Sequence, residues 1–369
     1  MYSNIKKQIK DTERYIEDNY NFKQVWKLKC SSYGDEQPYI LPPVNRIIVI
    51  GDLHGDLDIT LRSLRIAKLI DKNNNWIGGN TVVVQNGDQV DRCRYNGIPC
   101  SDKLATPNDE GNDITILELF TKLHKQAQLQ GGAVYSLLGN HELMNVDGDL
   151  RYVSHLGLKQ FNNSIVNGNL IKDGETARKM LFSPGNKYAD FLACTRQVVL
   201  IIGKNIFIHG GILPKIILKY SVKSINQLMT LYLLGRIKQK DKLYKDIFHS
   251  QDFSPLWSRL QSMMVINNND NSCNEMLTPL QYIYNVNNIY VGHTPNLNNG
   301  ISSACDNHIW LTDYGASKSF DPFRTNLIKK LQVLEILNDG EQFNILYEKH
   351  HHHKTHLSYH KQTTNLNIS

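Results

Sequence analysis

The sequence lacks a long apolar run, a signal-peptide core and a regular cysteine pattern. Its longest apolar runs, such as Val198 to Ile202, are far too short to span a bilayer, so we expect no membrane partner. Residues 1–20 alternate charges instead of forming the apolar centre of a signal peptide. Six cysteines in 369 residues stand at irregular spacings, unlike a disulfide framework. These absences predict an intracellular protein in a reducing compartment, the cytoplasm.

A strong charge of one sign is also missing. The formal net charge is +6 at pH 7, and the Lys and Arg residues are dispersed, with no basic stripe interleaved with aromatic residues. We therefore expect no nucleic-acid partner, although a mildly basic chain can attract phosphorylated substrates. Hydrophobic residues at 41% and charged residues at 21% are ordinary for a globular chain, and the length provides ample material for a core.

The order of patterns along the chain divides it into three regions. Residues 1–45 form an N-terminal extension with helical spacing over 1–20, residues 46–348 form the main domain, and residues 349–369, with the histidine run 350–353, form a disordered tail. Helices are predicted over 57–70, 114–129 and 215–250, strands over 133–138, 197–202, 205–208, 289–291, 309–312, 331–337 and 343–347, and a polar inserted loop over 93–112.

Five short segments carry residues that bind metals or transfer protons. They are Gly51-Asp52-Leu53-His54-Gly55-Asp56, Gly87-Asp88-Gln89-Val90-Asp91-Arg92, Gly139-Asn140-His141-Glu142, His209-Gly210-Gly211 and Gly292-His293-Thr294. Three of them directly follow apolar runs that read as buried strands, at 46–50, 81–84 and 206–208. Since function collects at the ends of strands in α/β sheets, we expect the five segments to share one edge.

The residue types in these segments suit a pair of transition-metal ions. Asp, His and Asn make a mixed oxygen and nitrogen ligand set. Two residues apart in an extended segment, Asp52 and His54 can face the same way and form part of one site, and Asp88 can bridge two ions with its carboxylate. Asn140, His209 and His293 would complete the second site. Such a pair clamps a phosphoryl group and lowers the pKa of a bridging water.

The remaining residues of these segments suit proton transfer and phosphate binding. His141 follows a metal ligand and is a candidate general acid, with Asp91 as the carboxylate that fixes its tautomer. Arg92 has the planar donor fork that suits phosphate oxygens, and Arg259 is a second candidate for that role. Each residue alone is more often structural, because Gly-Asp is a common turn and Asn-His a common cap. Their joint occurrence at strand ends favours one catalytic site.

These motifs resemble those of the calcineurin-like metallophosphoesterases, in the phosphoprotein phosphatase branch. The single His293 in Gly-His-Thr, without a second histidine two residues later, favours that branch. Residues 139–145, GNHELMN, followed by residues 148–153, GDLRYV, resemble the Shewanella-like protein phosphatases. The resemblance covers roughly residues 46–320, within a metallophosphatase domain over 46–348. One departure is Cys93, which stands where the family usually has Gly.

The resemblance implies a four-layer α/β metallophosphatase fold, with a central β-sandwich of two mixed sheets flanked by helices. It also implies two metal ions, of manganese, iron or zinc, held by the same six residues, with His141 as the general acid, Asp91 beside it and Arg92 on phosphate. The implied activity is hydrolysis of phosphoserine and phosphothreonine in proteins or peptides, and the resemblance does not identify a regulatory partner. Two alternatives stay open: a hydrolase of small phosphate compounds such as dinucleoside polyphosphates, and a catalytically idle metal-binding scaffold.

Overall fold

Two β-sheets packed face to face form the centre of the fold in the computed structural model, which describes residues 2–325, 331–348 and 359–365. The strands are β1 (Ile40–Leu41), β2 (Arg46–Ile50), β3 (Val82–Gln85), β4 (Ala133–Leu137), β5 (Ser164–Val166), β6 (Asn169–Ile171), β7 (Arg196–Gln197), β8 (Val199–Ile202), β9 (Asn205–Ile208), β10 (Asn288–Val291), β11 (Ser302–Ala304), β12 (Ile309–Leu311), β13 (Gln332–Leu337), β14 (Gln342–Glu348) and β15 (Tyr359–Asn365). The strands predicted from apolar runs are present with ends shifted by a few residues, except that the strand predicted over 197–202 is divided into β7 and β8, which belong to different sheets.

The helices cover both outer faces and the N-terminal segment. They are α1 (Tyr2–Tyr20), α2 (Phe22–Lys29), α3 (Leu57–Ile66), α4 (Asp113–Gln128), α5 (Asn140–Val146), α6 (His155–Lys159), α7 (Gly174–Phe182), α8 (Lys187–Thr195), α9 (Pro214–Ile217), α10 (Val222–Leu233), α11 (Lys242–Phe248), α12 (Leu260–Ile266) and α13 (Cys273–Tyr284). The inserted loop over 93–112 contains turns and neither helix nor strand, as predicted.

Both large sheets are mixed. One sheet has six strands in the order β1-β8-β9-β10-β12-β11, and β9, β10 and β12 run parallel. The other has seven strands in the order β15-β14-β13-β2-β3-β4-β7, with β2, β3, β4 and β7 parallel and β13, β14 and β15 antiparallel. The continuous apolar sequence of β2 fits a central parallel strand, which is covered on both faces.

The side chains of the six-stranded sheet alternate between two apolar cores. Val199 and Ile206 pack with Ile225 of α10 on the outer face, whereas Leu200 and Phe207 pack against the other sheet. Phe207 and Tyr290 stack with ring centroids 4.7 Å apart, and Trp310 meets Phe343 of β14 across the sandwich at 4.9 Å. Residues of α3 and α4 join the second core on the far side. The predicted four-layer fold, with two mixed sheets between helices, is confirmed.

The stretch predicted as helical over 215–250 consists of three helices, α9, α10 and α11. New helices begin where side chains cap free backbone N–H groups: Ser221 Oγ accepts from Ser224 N at 3.0 Å, and Asp241 Oδ1 accepts from Leu243 N at 3.1 Å. Gly235, with a φ of 69°, ends α10 in the left-handed region. The spacing of apolar residues therefore predicted the helical region correctly, and the capping residues divide that region into separate helices.

The N-terminal extension packs on the main domain. Ile16 of α1 and Phe22 of α2 are buried in the same core as α8 and α10. The Tyr20 hydroxyl donates to Asp241 Oδ2 at 2.7 Å, and Cys30 forms a disulfide with Cys194 of α8. The segment is thus a docked pair of helices.

The cysteines contradict the sequence prediction. All six form disulfides, which join Cys30 to Cys194, Cys93 to Cys100 and Cys273 to Cys305. Irregular spacing misled the prediction because partners separated by 164 or 32 residues in sequence become neighbours only through folding. Since disulfides persist in oxidising surroundings, the argument for a reducing compartment loses its basis, and the intracellular location stays a prediction.

The C-terminal region also differs from the prediction of a disordered tail. Residues 359–365 form β15, which pairs antiparallel with β14 from Glu348↔Tyr359 to Gln342↔Asn365. Adding a strand to the free edge of β14 satisfies backbone groups that would otherwise be unpaired. The histidine run 350–353 lies outside the described residues. Among the described residues, no helix combines the length and apolar character that crossing a bilayer requires.

Replacing Cys30 and Cys194 together with Ser is expected to lower the free energy of unfolding by about 3–5 kcal/mol, because the lost disulfide closes a long loop of the unfolded chain. Equilibrium unfolding in urea measures the change. Ser at Cys93 and Cys100, which closes a far shorter ring, serves as the comparison and should cost roughly half as much. A smaller loss for the first pair than for the second would contradict the anchoring role of the N-terminal disulfide.

Candidate metal centre

Five strand ends converge at one edge of the sandwich. Asp52 and His54 follow β2, and Asp88 and Asn140 follow β3 and β4 in the same sheet; His209 and His293 follow β9 and β10 in the other sheet. All six side chains are buried. The structure therefore brings together every residue that the sequence predicted as a metal ligand, although metal binding itself stays a prediction.

Two glycines allow the strand ends to approach so closely. A Cβ added to Gly139 would lie 2.0 Å from Asp88 Oδ1, and one added to Gly87 would lie 2.7 Å from His209 Nδ1. Any larger residue at either position would push the loops apart. The glycine that precedes Asp88 and the one that precedes Asn140 are thus part of the geometry of the site.

Four site residues adopt a left-handed backbone that non-glycine residues rarely use. The φ angles are 46° at His54, 53° at Asp88, 73° at Asp91 and 67° at His293. Each such conformation costs free energy and persists only where the surrounding structure enforces it. Their concentration at one edge marks this edge as functional and turns the side chains inward directly after the strands.

The carboxylate of Asp88 lies at the centre of the cluster. Its Oδ2 atom is 3.2 Å from Nε2 of His209, 3.8 Å from Nε2 of His54 and 3.9 Å from Nε2 of His141. Two ligand groups share it: one with His54 and His141, and one with His209 and His293, each with all ligand atoms within 4.8 Å of one another. A carboxylate shared between two groups is suited to bridging two cations.

Backbone carbonyls fix the orientation of two of the imidazoles. Nδ1 of His209 lies 2.8 Å from Asn86 O, and Nδ1 of His54 lies 3.2 Å from Val90 O. Since a carbonyl oxygen only accepts, each Nδ1 is the protonated nitrogen, and Nε2 is left with a lone pair directed into the cluster. Metal-binding histidines commonly have this arrangement.

The polar atoms in the cluster fit a cation. Nε2 of His209 faces both Asp88 Oδ2 and Asn140 Oδ1, the latter at 3.0 Å, so acceptor faces acceptor unless a positive charge intervenes. Nε2 of His293 and Oδ2 of Asp313 are buried with no hydrogen-bond partner among the described residues. Burial, followed by the charges of Asp313 and Asp88, raises the pKa of Asp52 well above its usual range. Bound divalent ions would offset the repulsion between the acceptor atoms, provide a partner for the unpaired atoms and favour the charged form of Asp52.

Asp313 is a site residue that the sequence reasoning missed. It lines the same cavity as His54 and Asp88, and burial together with neighbouring charges raises its pKa to about 6. Its neighbour Tyr314 does not line that cavity, and its hydroxyl oxygen accepts from the backbone N–H of Gln332 at 3.0 Å. The missed signal was an acidic residue closely following the buried strand β12, which is the parallel neighbour of β10.

His141 is held by Asp91, as predicted from the sequence. Its Nδ1 donates to Asp91 Oδ2 at 2.7 Å, and Nε2 is directed towards Asp88. Asn145 Nδ2 donates to the other oxygen of Asp91 at 2.9 Å, which keeps the carboxylate in the plane of the imidazole hydrogen bond. Both His141 and Asp91 are buried, so this contact is shielded from water.

A buried arginine supports that pair from behind. Arg178 of α7 donates from Nε to Asn145 Oδ1 at 2.8 Å and from Nη2 to Asp113 Oδ2 at 2.7 Å. Asp113 also accepts from the backbone N–H of Asp91 at 3.2 Å. Asp113 is the first residue of α4, and Asn112 occupies the cap position before it. Nothing in the sequence linked Arg178 to the site, because the contact depends on how α7 packs.

Glu142 holds the loops of the site through its hydrogen bonds. Its two carboxylate oxygens accept from the backbone N–H groups of Asp88 at 3.0 Å, Gln89 at 2.7 Å, Val90 at 3.2 Å and Gly139 at 2.6 Å. Burial, followed by the charge of Asp88, raises the pKa of Glu142 to about 7. Because its oxygens are occupied by backbone groups, Glu142 joins the β3 and β4 loops and is not available for catalysis.

The two predicted phosphate-binding arginines have different positions. Arg92 is only 1% exposed; its Nη2 donates to Pro107 O at 3.3 Å and lies 3.8 Å from Asp56 Oδ2. It lines a small cavity of about 120 Å³ beneath the inserted loop, and not the cavity that the metal-ligand side chains line. Its Nε and Nη1 atoms are buried with no hydrogen-bond partner among the described residues, and its role in phosphate binding stays a prediction. The Asp56 carboxylate and the Pro107 carbonyl contact the guanidinium of Arg92 beneath this loop.

Arg94 and Arg259 do line the main cavity, which has a volume of about 610 Å³. Arg259 Nη1 donates to His293 O at 3.1 Å and to Thr294 Oγ1 at 2.9 Å, so it also positions the last ligand loop. Its role in substrate binding stays a prediction. Arg94 was not considered from the sequence, because it lies at the start of the polar inserted loop and nothing there indicated that its side chain would turn back to the site.

Comparisons with known proteins agree with this geometry. The sequence profile of the family described as calcineurin-like phosphoesterase matches residues 45–297. An uncharacterized protein, R398, of Acanthamoeba polyphaga mimivirus is 34% identical over 252 residues, which are 62% of this chain and 98% of the relative. Shewanella-like protein phosphatase 2 of Arabidopsis thaliana is 29% identical over 304 residues, which are 74% of this chain and 72% of the relative.

A solved structure of similar fold is the cold-active protein-tyrosine phosphatase of a psychrophilic Shewanella species. The two superimpose with a TM-score of 0.62 at 20% sequence identity, over 90% of this chain and 84% of the other. At this identity the likeness shows the shared fold alone.

Replacing Glu142 with Gln is expected to lower the free energy of unfolding by about 2–4 kcal/mol, because the amide nitrogen would face N–H groups that have lost their acceptor. Urea unfolding of the metal-free protein measures this loss. Glu118→Gln, on the exposed face of α4, makes the same chemical change and should stay within about 0.5 kcal/mol of the unmodified protein. Equal effects of the two substitutions would show that the four hydrogen bonds do not stabilise the loops.

Proposed function

The chain belongs to the calcineurin-like phosphoesterase family, and from that premise we propose that it is a metal-dependent phosphatase that hydrolyses phosphomonoesters of proteins. The observation that carries the proposal is the contact of Asp88, Asn140 and His209, in which acceptor atoms converge in a buried cluster. These acceptor atoms can lie so close together only if a cation or a proton is bound between them. The carboxylate of Asp88 also belongs to a second group of candidate ligands.

We propose that the six clustered residues hold two divalent ions. Asp52, His54 and Asp88 would hold one ion; Asn140, His209 and His293 would hold the other, with Asp88 shared between them. Manganese, iron and zinc all suit this mixed donor set. When bound, the pair supplies an activated water and neutralises the charge of the phosphoryl group.

His141 is proposed as the general acid. Its Nδ1 donates to Asp91 at 2.7 Å, which fixes the orientation of the ring and leaves Nε2 to give a proton to the leaving oxygen of the substrate. Asn145 and Arg178 act through Asp91 and are positioning residues. These contacts would place the proton to be transferred on Nε2 of His141, beside the cluster of candidate metal ligands.

The proposed substrate is a phosphoserine or phosphothreonine residue in a protein or peptide. A cavity of about 610 Å³ has room for a phosphorylated side chain and adjacent peptide. The relative from Arabidopsis thaliana is named as a protein phosphatase, which supports a protein substrate over a small phosphate compound. An idle scaffold is disfavoured because all six candidate ligands and His141 are present in one cluster.

A second candidate, phosphotyrosine, is favoured by the walls of the cavity. Aromatic side chains make up much of the lining: Tyr152, Tyr244, Phe248, Trp257 and Phe320. Such rings pack well against a phenyl ring. The structurally similar Shewanella enzyme is described as a protein-tyrosine phosphatase, which is consistent with this candidate.

Purified protein supplied with manganese is expected to hydrolyse p-nitrophenyl phosphate and phosphopeptides. His141→Ala should lower kcat on a phosphoserine peptide by about 10²–10⁴-fold, and less on p-nitrophenyl phosphate, whose leaving group needs little protonation. Metal content, measured by mass spectrometry, should stay at that of the unmodified protein.

His155→Ala is the matched control, since this histidine contacts Ser101 O away from the cluster and should leave kcat unchanged. No hydrolysis by folded, metal-loaded protein would refute the phosphatase proposal. Equal losses of kcat on both substrates for His141→Ala would refute its assignment as the general acid.

A panel of phosphoserine, phosphothreonine and phosphotyrosine peptides with diadenosine tetraphosphate distinguishes the candidates. The proposal predicts the highest kcat/KM for the first two peptides. A higher kcat/KM for the phosphotyrosine peptide would select the second candidate, and a preference for diadenosine tetraphosphate would select hydrolysis of small phosphate compounds.

A further inference from the structure

We propose that Arg94 binds the phosphoryl group of the substrate in this chain, and that the Cys93–Cys100 disulfide holds Arg94 in position. The inference rests on the proposed phosphatase function, and it assigns the role expected of Arg92 to a residue two positions later. Three observations support it: the location of the Arg94 guanidinium, its free donors, and the way its backbone is fixed.

Arg94 lines the cavity together with His54, Asp88 and His141. A phosphoryl group bound in this cavity beside the candidate metal ligands would therefore share it with the positive charge of Arg94. Arg92, in contrast, lines only the small cavity beneath the inserted loop.

Protein contacts orient the guanidinium of Arg94 but use only one of its three nitrogen atoms as a donor. Its Cζ atom lies 4.7 Å from the ring centroid of Phe320 and 5.6 Å from that of Tyr152. Nη1 donates to Cys93 O at 2.7 Å and to Asp91 O at 3.2 Å. Across the described part of the chain, Nε and Nη2 have no acceptor. These atoms are the donors that bind a phosphate oxygen pair in a planar arginine fork.

The backbone of Arg94 is fixed on one side by a disulfide. Cys93 directly precedes it, is buried, donates its backbone N–H to Tyr152 O at 3.1 Å and bonds to Cys100. Residues 95–99 of the ring are exposed, with Tyr95 63% exposed, so apolar packing contributes little to holding the ring. The covalent bond is therefore the main restraint on the loop that carries Arg94.

Binding of inorganic phosphate to manganese-loaded protein, measured by calorimetry, tests the role of Arg94. Arg94→Ala should raise the Kd by about tenfold or more, the loss expected for a charge-assisted hydrogen bond, with unchanged metal content. Arg94→Lys, which keeps the charge but not the fork, should give an intermediate Kd. Lys103→Ala removes one positive charge from an exposed position of the same inserted loop and should change the Kd less than twofold.

The disulfide is tested by replacing both Cys93 and Cys100 with Ser. This change should raise the Kd for phosphate by about three- to tenfold in protein that contains Arg94, and have no further effect in Arg94→Ala protein, since the disulfide acts through that side chain. Replacing Cys273 and Cys305 with Ser is the matched control, because this disulfide lies away from the cavity and should leave the Kd unchanged. Equal effects in both backgrounds would assign the disulfide a merely structural role and overturn the coupling.

The assignment of Arg94 is overturned if Arg94→Ala binds phosphate as the unmodified protein does, or if Arg92→Ala raises the Kd more than Arg94→Ala. Should Arg94→Ala fail to fold, Arg94→Lys and Arg94→Gln decide by the same comparison. Failure of the proposed function is distinguishable, because folded protein that binds phosphate through Arg94 without hydrolysing any phosphomonoester refutes the function and keeps the binding assignment.

Discussion

The structure depends on one buried contact that is unfavourable without positive charge. Asp88, Asn140 and His209 come from three different strand ends and direct acceptor atoms at one another inside a buried cluster. Backbone carbonyls prevent the imidazoles from turning away, and two glycines permit the close approach. A chain without a use for cations would gain stability by separating these groups, so their convergence is the strongest physical argument for a metallophosphatase.

Much of the fold and of the ligand set followed from the sequence. Buried parallel strands have distinctive apolar runs, and the residue directly after each run must lie at the sheet edge, so the type of residue at that position carries information. Asp52, Asp88 and His209 were found in this way, and Asp313 obeys the same rule but was missed. The four layers followed from the family resemblance, and the alternating side chains of β8, β9 and β10 account for them physically.

The rest could not be read from sequence because it depends on contacts between distant segments. Arg92 belongs to the best-known motif, yet the direction of its side chain is decided by Asp56 and Pro107. Arg178 reaches the acid only because α7 packs behind it. Disulfide partners as far apart as Cys30 and Cys194 have no local signal, and the pairing of β15 with β14 required knowing that an edge was free.

The carboxylate of Glu142 has a consequence for how the proposed ions would bind. By accepting four backbone N–H groups from two loops, it fixes the mouth of the cluster through contacts that involve no ligand atom. The loops that carry the candidate ligands would therefore keep their positions whether or not ions are bound. Binding of the proposed ions would then need little rearrangement of the backbone.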